Sequence, residues 1–224
     1  MNYSELTKEQ LLTEIDNKSK AIINLGKQLH LISNTLEIFD FFIIAILNRT
    51  INLNRGFSLL LNDNNFIAAA PLVRISMDTL LRLFASSISE PNRNDFAHLV
   101  MGGTPINQIK SKISSKLLTD TFLYSELSKL EDMGWVEKIY KRGNSFVHFS
   151  EALIFSSLKL DKSSENKIIM TIGMHDEFIS DEEKNGAVIC MNKITDIIIV
   201  LTQLWFYEKA KANNFNIEDL NIEF

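Results

Sequence analysis

The chain has 224 residues and a single cysteine, Cys190, so it cannot close an intramolecular disulfide; its four histidines are scattered. A disulfide scaffold and a structural zinc module are both excluded, and such thiol usage fits a reducing compartment. Proline (3) and glycine (8) are scarce against 46% hydrophobic and 23% charged residues, a balance that disfavours disordered, collagen-like or turn-rich many-stranded chains. There is no basic excess. The formal charge is -5, from 23 Lys and Arg against 28 Asp and Glu, which argues against a generic polyanion binder while leaving room for a local basic site. Walker-type loops, G-x-G-x-x-G, G-x-S-x-G and H-E-x-x-H are all missing, so neither a cofactor nor a metal site is expected. Long hydrophobic runs are missing too. Residues 38–47 are interrupted by Asp40, residues 194–205 by Asp196 and Gln203, and both fall short of the ~20 apolar residues of a membrane span. The start, Met1-Asn2-Tyr3-Ser4-Glu5, carries neither the basic nor the apolar part of a signal peptide, so a cytoplasmic protein without membrane contact is expected.

What is present is helical periodicity. Leu11, Ile15, Ile22, Leu25, Leu29 and Ile32 mark a long amphipathic helix from residue 4 to about 35, packing across the protein's own core rather than in a dimeric coiled coil, and partly protruding. A more apolar helix over 36–54 closes near Asn54, Arg55 and Gly56. After a turn at 61–65, residues 66–88 read as a central helix, apolar nearly all round and bent at Pro71. Residues 92–105 read as loop, and helices are expected at about 106–117, 121–131 and 135–153. The stretches 156–160 and 167–173 flank a polar segment and suggest a hairpin, and a closing helix covers about 181–212. The expected architecture is a mainly α helical bundle, one domain over 1–224, with a long N-terminal amphipathic helix and a small β-hairpin insertion near 156–173.

The most informative stretch is Tyr140-Lys141-Arg142-Gly143-Asn144-Ser145-Phe146-Val147-His148-Phe149-Ser150. It sets Arg142 and His148 on an expected helix with five residues between them, polar Asn144 and Ser145 included. This segment, in its helical context, resembles the HEPN superfamily, helical proteins with an R-x(4-6)-H motif that frequently act as metal-independent ribonucleases in toxin-antitoxin and phage-defence systems. Gly143 is a departure, since family members often carry Asn, Asp or His directly after the arginine. The resemblance implies an RNA substrate cleaved by attack of the 2′-hydroxyl, with Arg142, His148 and Asn144 as the catalytic set and Lys141, Ser145, Arg74 and Arg82 as substrate-binding residues. It further implies a homodimer in which two motif helices form a composite cleft, and leaves open an inhibitory partner protein. The chemistry suits the residue types: an imidazole titrating near neutrality exchanges protons with ribose and leaving oxygens, and a guanidinium binds phosphate bidentately. At about 100° per residue, Lys141, Asn144 and His148 share one side of the helix while Arg142 lies about 120° from His148, so one straight helix does not converge the pair.

A second constellation, Arg74, Asp78 and Arg82 at i, i+4 and i+8, forms a charged ridge on the apolar helix. Buried charge is costly unless paired, so an ion network around Asp78, open to Arg142 as a further partner, is favoured over a phosphate-binding role for Arg74 or Arg82. Residues 105–142 hold seven basic against five acidic side chains, a relatively positive segment in an acidic chain. Met174-His175-Asp176-Glu177 reads as loop rather than metal site, and Cys190 as an inert core thiol. A helical interaction or sensor module without catalysis is the alternative function, assembled through its N-terminal helix and the ridge.

Overall fold

The computed structural model describes residues 2–29, 31–32, 35–160 and 167–216. Among them are eight α-helices and one antiparallel hairpin: α1 (Lys8–Gln28), α2 (Ile38–Asn62), α3 (Phe66–Ile88), α4 (Arg93–Met101), α5 (Asp120–Leu127), α6 (Trp135–Val147), α7 (Glu151–Ser156), β1 (Leu158–Leu160), β2 (Ile168–Met170) and α8 (Asp181–Ala212). Short polar side chains set the helix starts. Thr7 and Gln10 form a reciprocal capping box on α1, and Asn65, Asn92, Thr119 and Ser180 each accept a backbone N–H of the first turn of α3, α4, α5 and α8. Asp181, Glu182 and Glu183 open α8 while Lys209 and Lys211 close it, matching charge to the helix dipole.

Helix α3 lies at the centre, packed by α2, α8, α6, α5 and α4, and 14 of its residues are buried. That burial explains why its apolar residues run round most of the circumference. The core continues into an aromatic group where Phe39 meets Trp205 edge-on at 4.8 Å and Phe42 meets Phe96 at 5.7 Å. Beside it sits Asp40, fully buried, which accepts hydrogen bonds from Trp205 Nε1 (2.9 Å), the Glu37 amide (2.7 Å) and the fully buried Lys209 ammonium. This ion pair ties the first turn of α2 to the last turn of α8. Midway along α8, Lys18 of α1 pairs with Asp196 at 2.7 Å, and the Tyr3 hydroxyl joins both.

Several elements depart from the sequence reading. The first helix is bounded at Lys8 and Gln28, inside the expected 4–35. Helix α2 runs through Gly56 to Asn62, because a helical glycine costs only about 1 kcal/mol and burial of Phe57 and Leu61 outweighs it. The expected loop at 92–105 contains α4, capped by Asn92, anchored by fully buried Phe96 and Ala97, and ended at Gly102 and Gly103, whose φ of 92° needs glycine. The expected helix at 106–117 is a single 3-10 turn, Ile106–Gln108, after which the chain passes the end of α3, where Lys112 N–H satisfies the Ile88 carbonyl at 2.9 Å. The expected 135–153 helix is split. Helix α6 stops at Val147, His148 takes extended angles (φ -102°, ψ 141°), and the Ser150 hydroxyl donates to the Ser145 carbonyl at 2.7 Å. Helix α3 is continuous through Pro71.

The hairpin pairs Leu158 with Met170, Lys159 with Ile169 and Leu160 with Ile168; the polar segment joining the strands lies outside the described residues. Helix α8 is long and apolar enough to cross a membrane by length and composition, and its Val188, Met191, Ile194 and Ile198 face is buried in the helical core.

Removing one member of a buried ion pair strands the other, so Lys209→Met is expected to cost about 3–5 kcal/mol in urea unfolding. The double variant Asp40→Leu/Lys209→Met should recover part of that loss, since no charge is then left unpaired.

Candidate functional site

The charged ridge of α3 becomes a network once α5 and α6 pack beside it. Arg82 donates to Asp78 Oδ1 at 2.9 Å and pairs with Asp120 Oδ1 at 2.6 Å. Arg74 approaches the same two carboxylates at 3.9 and 3.8 Å. Thr119 caps α5, which fixes Asp120 in the first turn and aims it at both guanidinium groups. Two arginines thus meet two aspartates, and the ridge is electrically balanced. Asp78 takes its partners from its own helix and does not receive Arg142.

Arg74 also joins the ridge to the motif helix. Its guanidinium lies over the Tyr140 ring at 3.7 Å, and its Nε donates to Asn144 Oδ1 at 2.8 Å. Its aliphatic stem crosses α6 at Gly143, where a Cβ would stand 2.9 Å from Arg74 Cβ and 3.2 Å from its Cδ. Gly143 is therefore what lets α6 approach α3 so closely. Tyr140 completes the group by donating its hydroxyl to Asp120 Oδ2 at 3.0 Å. Burial, with help from that carboxylate, pushes the Tyr140 phenol up to about 12, although Arg74 opposes the shift.

An open cleft of about 570 Å³ lies over the network, lined by Asp78, Arg82 and Asp120 on one side and by Phe42, Ile46 and exposed Arg49 of α2 on the other. The Arg49 guanidinium has no ion pair among the described residues. A second cleft, about 520 Å³, runs between α3, α6 and α8 and is lined by Val73, Lys138, Arg142, Phe146, Glu183 and Cys190.

The motif residues separate along α6. Arg142 is exposed and pairs with Glu183 Oε1 of α8 at 2.6 Å. Lys141 is exposed and pairs with Glu137 at 2.7 Å, and the Ser145 hydroxyl donates to the Arg142 carbonyl at 2.6 Å. Asn144 turns inward to Arg74. His148, past the helix end, donates its backbone N–H to the Asn144 carbonyl at 3.0 Å, while its exposed imidazole has no partner among the described residues. The structure thus gathers Arg74, Asp78, Arg82 and Asn144 into one network and leaves Arg142, Lys141 and His148 on the surface. Asp120, Tyr140 and Glu183 were not singled out from sequence; only the Thr-Asp start of α5 signalled that Asp120 had a fixed position.

The weaker candidates resolve into structural roles. The Asp176 carboxylate accepts the Phe66 amide at the start of α3, and its own N–H donates to the Asn64 carbonyl at 2.9 Å. Among the described residues no three His, Cys, Asp or Glu side chains are grouped to hold a metal ion. Burial pushes the Cys190 thiol up to about 11, so little of it is thiolate at neutral pH. Comparison with known proteins finds no matching family model, no matching curated protein and no matching solved structure.

Two outcomes follow from this packing. Gly143→Ala forces α6 away from Arg74 and is expected to lower stability by about 1–3 kcal/mol in urea or thermal unfolding. Tyr140 has a folded pKa above its unfolded value, so the neutral phenol's contribution is complete below pH ~10 and is lost as pH rises toward about 12. The stability advantage of wild type over Tyr140→Phe should accordingly shrink across that interval and stay constant between pH 6 and 9.

Proposed function

We propose that this chain is a metal-independent endoribonuclease of the HEPN-like kind, acting in the bacterial cytoplasm as a defence or toxin effector and working as a homodimer. The observation that carries this reading is the end of α6. Arg142 and His148 both reach solvent there, and Asn144, held by Arg74, fixes how that end is presented. His148 removes the proton from a ribose 2′-hydroxyl, the 2′-oxygen bonds to the adjacent phosphorus, and the bond from phosphorus to the 5′-oxygen breaks. Arg142 exchanges its carboxylate partner Glu183 for the phosphate as charge builds on the non-bridging oxygens. The 5′-oxygen takes up a proton from an imidazolium, for which the second His148 of the dimer is available. Products are a 2′,3′-cyclic phosphate and a 5′-hydroxyl, and DNA, lacking the nucleophile, is not cut. An inhibitory partner protein would act by covering this surface.

A second reading has its own support. The ridge is fully paired and Asn144 faces Arg74 rather than His148, as expected of a scaffold. Under it the chain is a non-catalytic homodimeric interaction or sensor module, with α1 and the ridge as assembly elements.

Induced expression of wild type and His148→Ala separates the two. The nuclease reading expects growth arrest and fragmented cellular RNA with wild type only. With purified protein it expects cleavage unaffected by EDTA and at least about a hundredfold loss in the variant. Intact RNA and equal growth for both folded proteins, with no inhibitory partner co-expressed, would sink the enzymatic reading.

A further inference from the structure

The segment that follows the motif is more apolar on its surface than a chain of this kind presents without a reason. Phe149 is 83% exposed, Phe155 66%, Met170 73%, Ile172 105% and Met174 84%. Strand β2 is exposed at every position, so Ile168 and Met170 on one face and Ile169 on the other all meet water. The hairpin packs chiefly against the short α7, and a lone two-stranded hairpin is marginal in water at best. At roughly 150–200 Å² for a fully exposed side chain of this size, these residues present about 900 Å² of apolar surface. That sum, taken over both faces of the hairpin and its flanks, is of the size that each side of a standard interface buries, about 800 Å². Another exposed stripe, Val200, Leu204 and Tyr207 on α8, is only half-exposed.

We infer that this surface is the interface with a second copy of the chain, formed by antiparallel pairing of β2 with the partner's β2 into a four-stranded sheet. Charge selects the edge. Pairing β1 with itself about its centre sets Lys159 against a second Lys159, a like-charge pair that destabilises a sheet. Pairing β2 with itself about Ile169 sets Ile168 against Met170 and Lys167 against Thr171, with no charge facing a like charge. A twofold axis at Ile169 makes the contact isologous and closes the assembly at two chains. His148 directly precedes Phe149, one of the exposed apolar residues of this segment. The inference rests on the ribonuclease reading for the use of the dimer, while the interface itself rests on exposure and register.

The test uses the full chain and its single native cysteine. Wild type is expected to sediment at twice 25.6 kDa at micromolar concentration. Ile172→Glu/Met174→Glu changes side chains that are already exposed, and is expected to run as a monomer with an unchanged circular dichroism spectrum. In a Cys190→Ser background, Ile169→Cys should form an intermolecular disulfide under mild oxidation, since directly opposed Cβ atoms in a sheet lie about 4.5–5.5 Å apart. Leu204→Cys in the same background should remain monomeric on a non-reducing gel. A monomeric wild type, a dimeric double variant, an Ile169→Cys protein that does not cross-link or a Leu204→Cys protein that links equally well each overturns the interface. RNA cleavage separates the two ideas: a cross-linked dimer without cleavage refutes the nuclease and leaves the interface standing, whereas cleavage by a monomeric wild type does the reverse.

Discussion

The packing of Arg74 across α6 is the constraint on which the candidate site depends. Its side chain is 14% exposed, and a guanidinium withdrawn this far from water costs several kcal/mol unless its donors and its charge are answered. The answer comes from three helices: Asp78 on α3, Asp120 on α5, and Tyr140 with Asn144 on α6. Each must lie on the face of its helix that looks at Arg74. For α6 this requires an aromatic residue at 140, no side chain at 143 and an amide at 144, positions spaced three and four apart. Once that face is set, residue 142 is turned about 200° from residue 140 and must look away from α3. The exposed pair of Arg142 with Glu183 is therefore a consequence of how Arg74 is buried.

The two arginine groups have opposite characters as a result. The ridge arginines face two aspartates, and a phosphate entering there would have to displace half-buried partners and strand charge. Arg142 lies in solvent with a single carboxylate, and exposed ion pairs are worth only about 0–1 kcal/mol, so an anion such as a phosphate diester could replace that partner at little cost. In a chain of net charge -5, such exchange is also the cheapest way to make a local anion site, because no large positive field is required beforehand. Under the proposed nuclease reading, substrate contact would therefore fall to α6, whereas the ridge positions that helix.

The sequence made much of the fold legible where periodicity ran long. Residues 66–88 and 181–212 match α3 and α8 to the residue, and the hairpin falls between the expected flanks. Short elements were not legible, for physical reasons that differ from case to case. Helix α4 has nine residues and is held by Phe96 and Ala97, too few apolar positions to show a period against its polar neighbours. The break at His148 depends on a hydroxyl from Ser150 bonding back to the Ser145 carbonyl, a tertiary detail that a continuous helical pattern hides. The i, i+4, i+8 ridge was visible as charge, but its partner Asp120 lies 38 residues beyond Arg82, and no local pattern links them. Gly143 stood out in sequence as a departure from the R-x(4-6)-H resemblance, and only the contact with Arg74 accounts for it.

That break at His148 changes what the motif is able to do. On an unbroken helix His148 would share a side with Asn144, whose amide is already committed to Arg74, and would be drawn toward the network. Ending α6 at Val147 releases His148 from that side and sets it next to Phe149, at the start of a segment rich in exposed apolar residues. Arg142 remains on the helix, fixed by the register that Arg74 imposes. One residue is thus held by the core and the other by the excursion beyond it. If a second copy packs on that excursion as proposed, assembly there would be the step that turns two separated surface groups into one site.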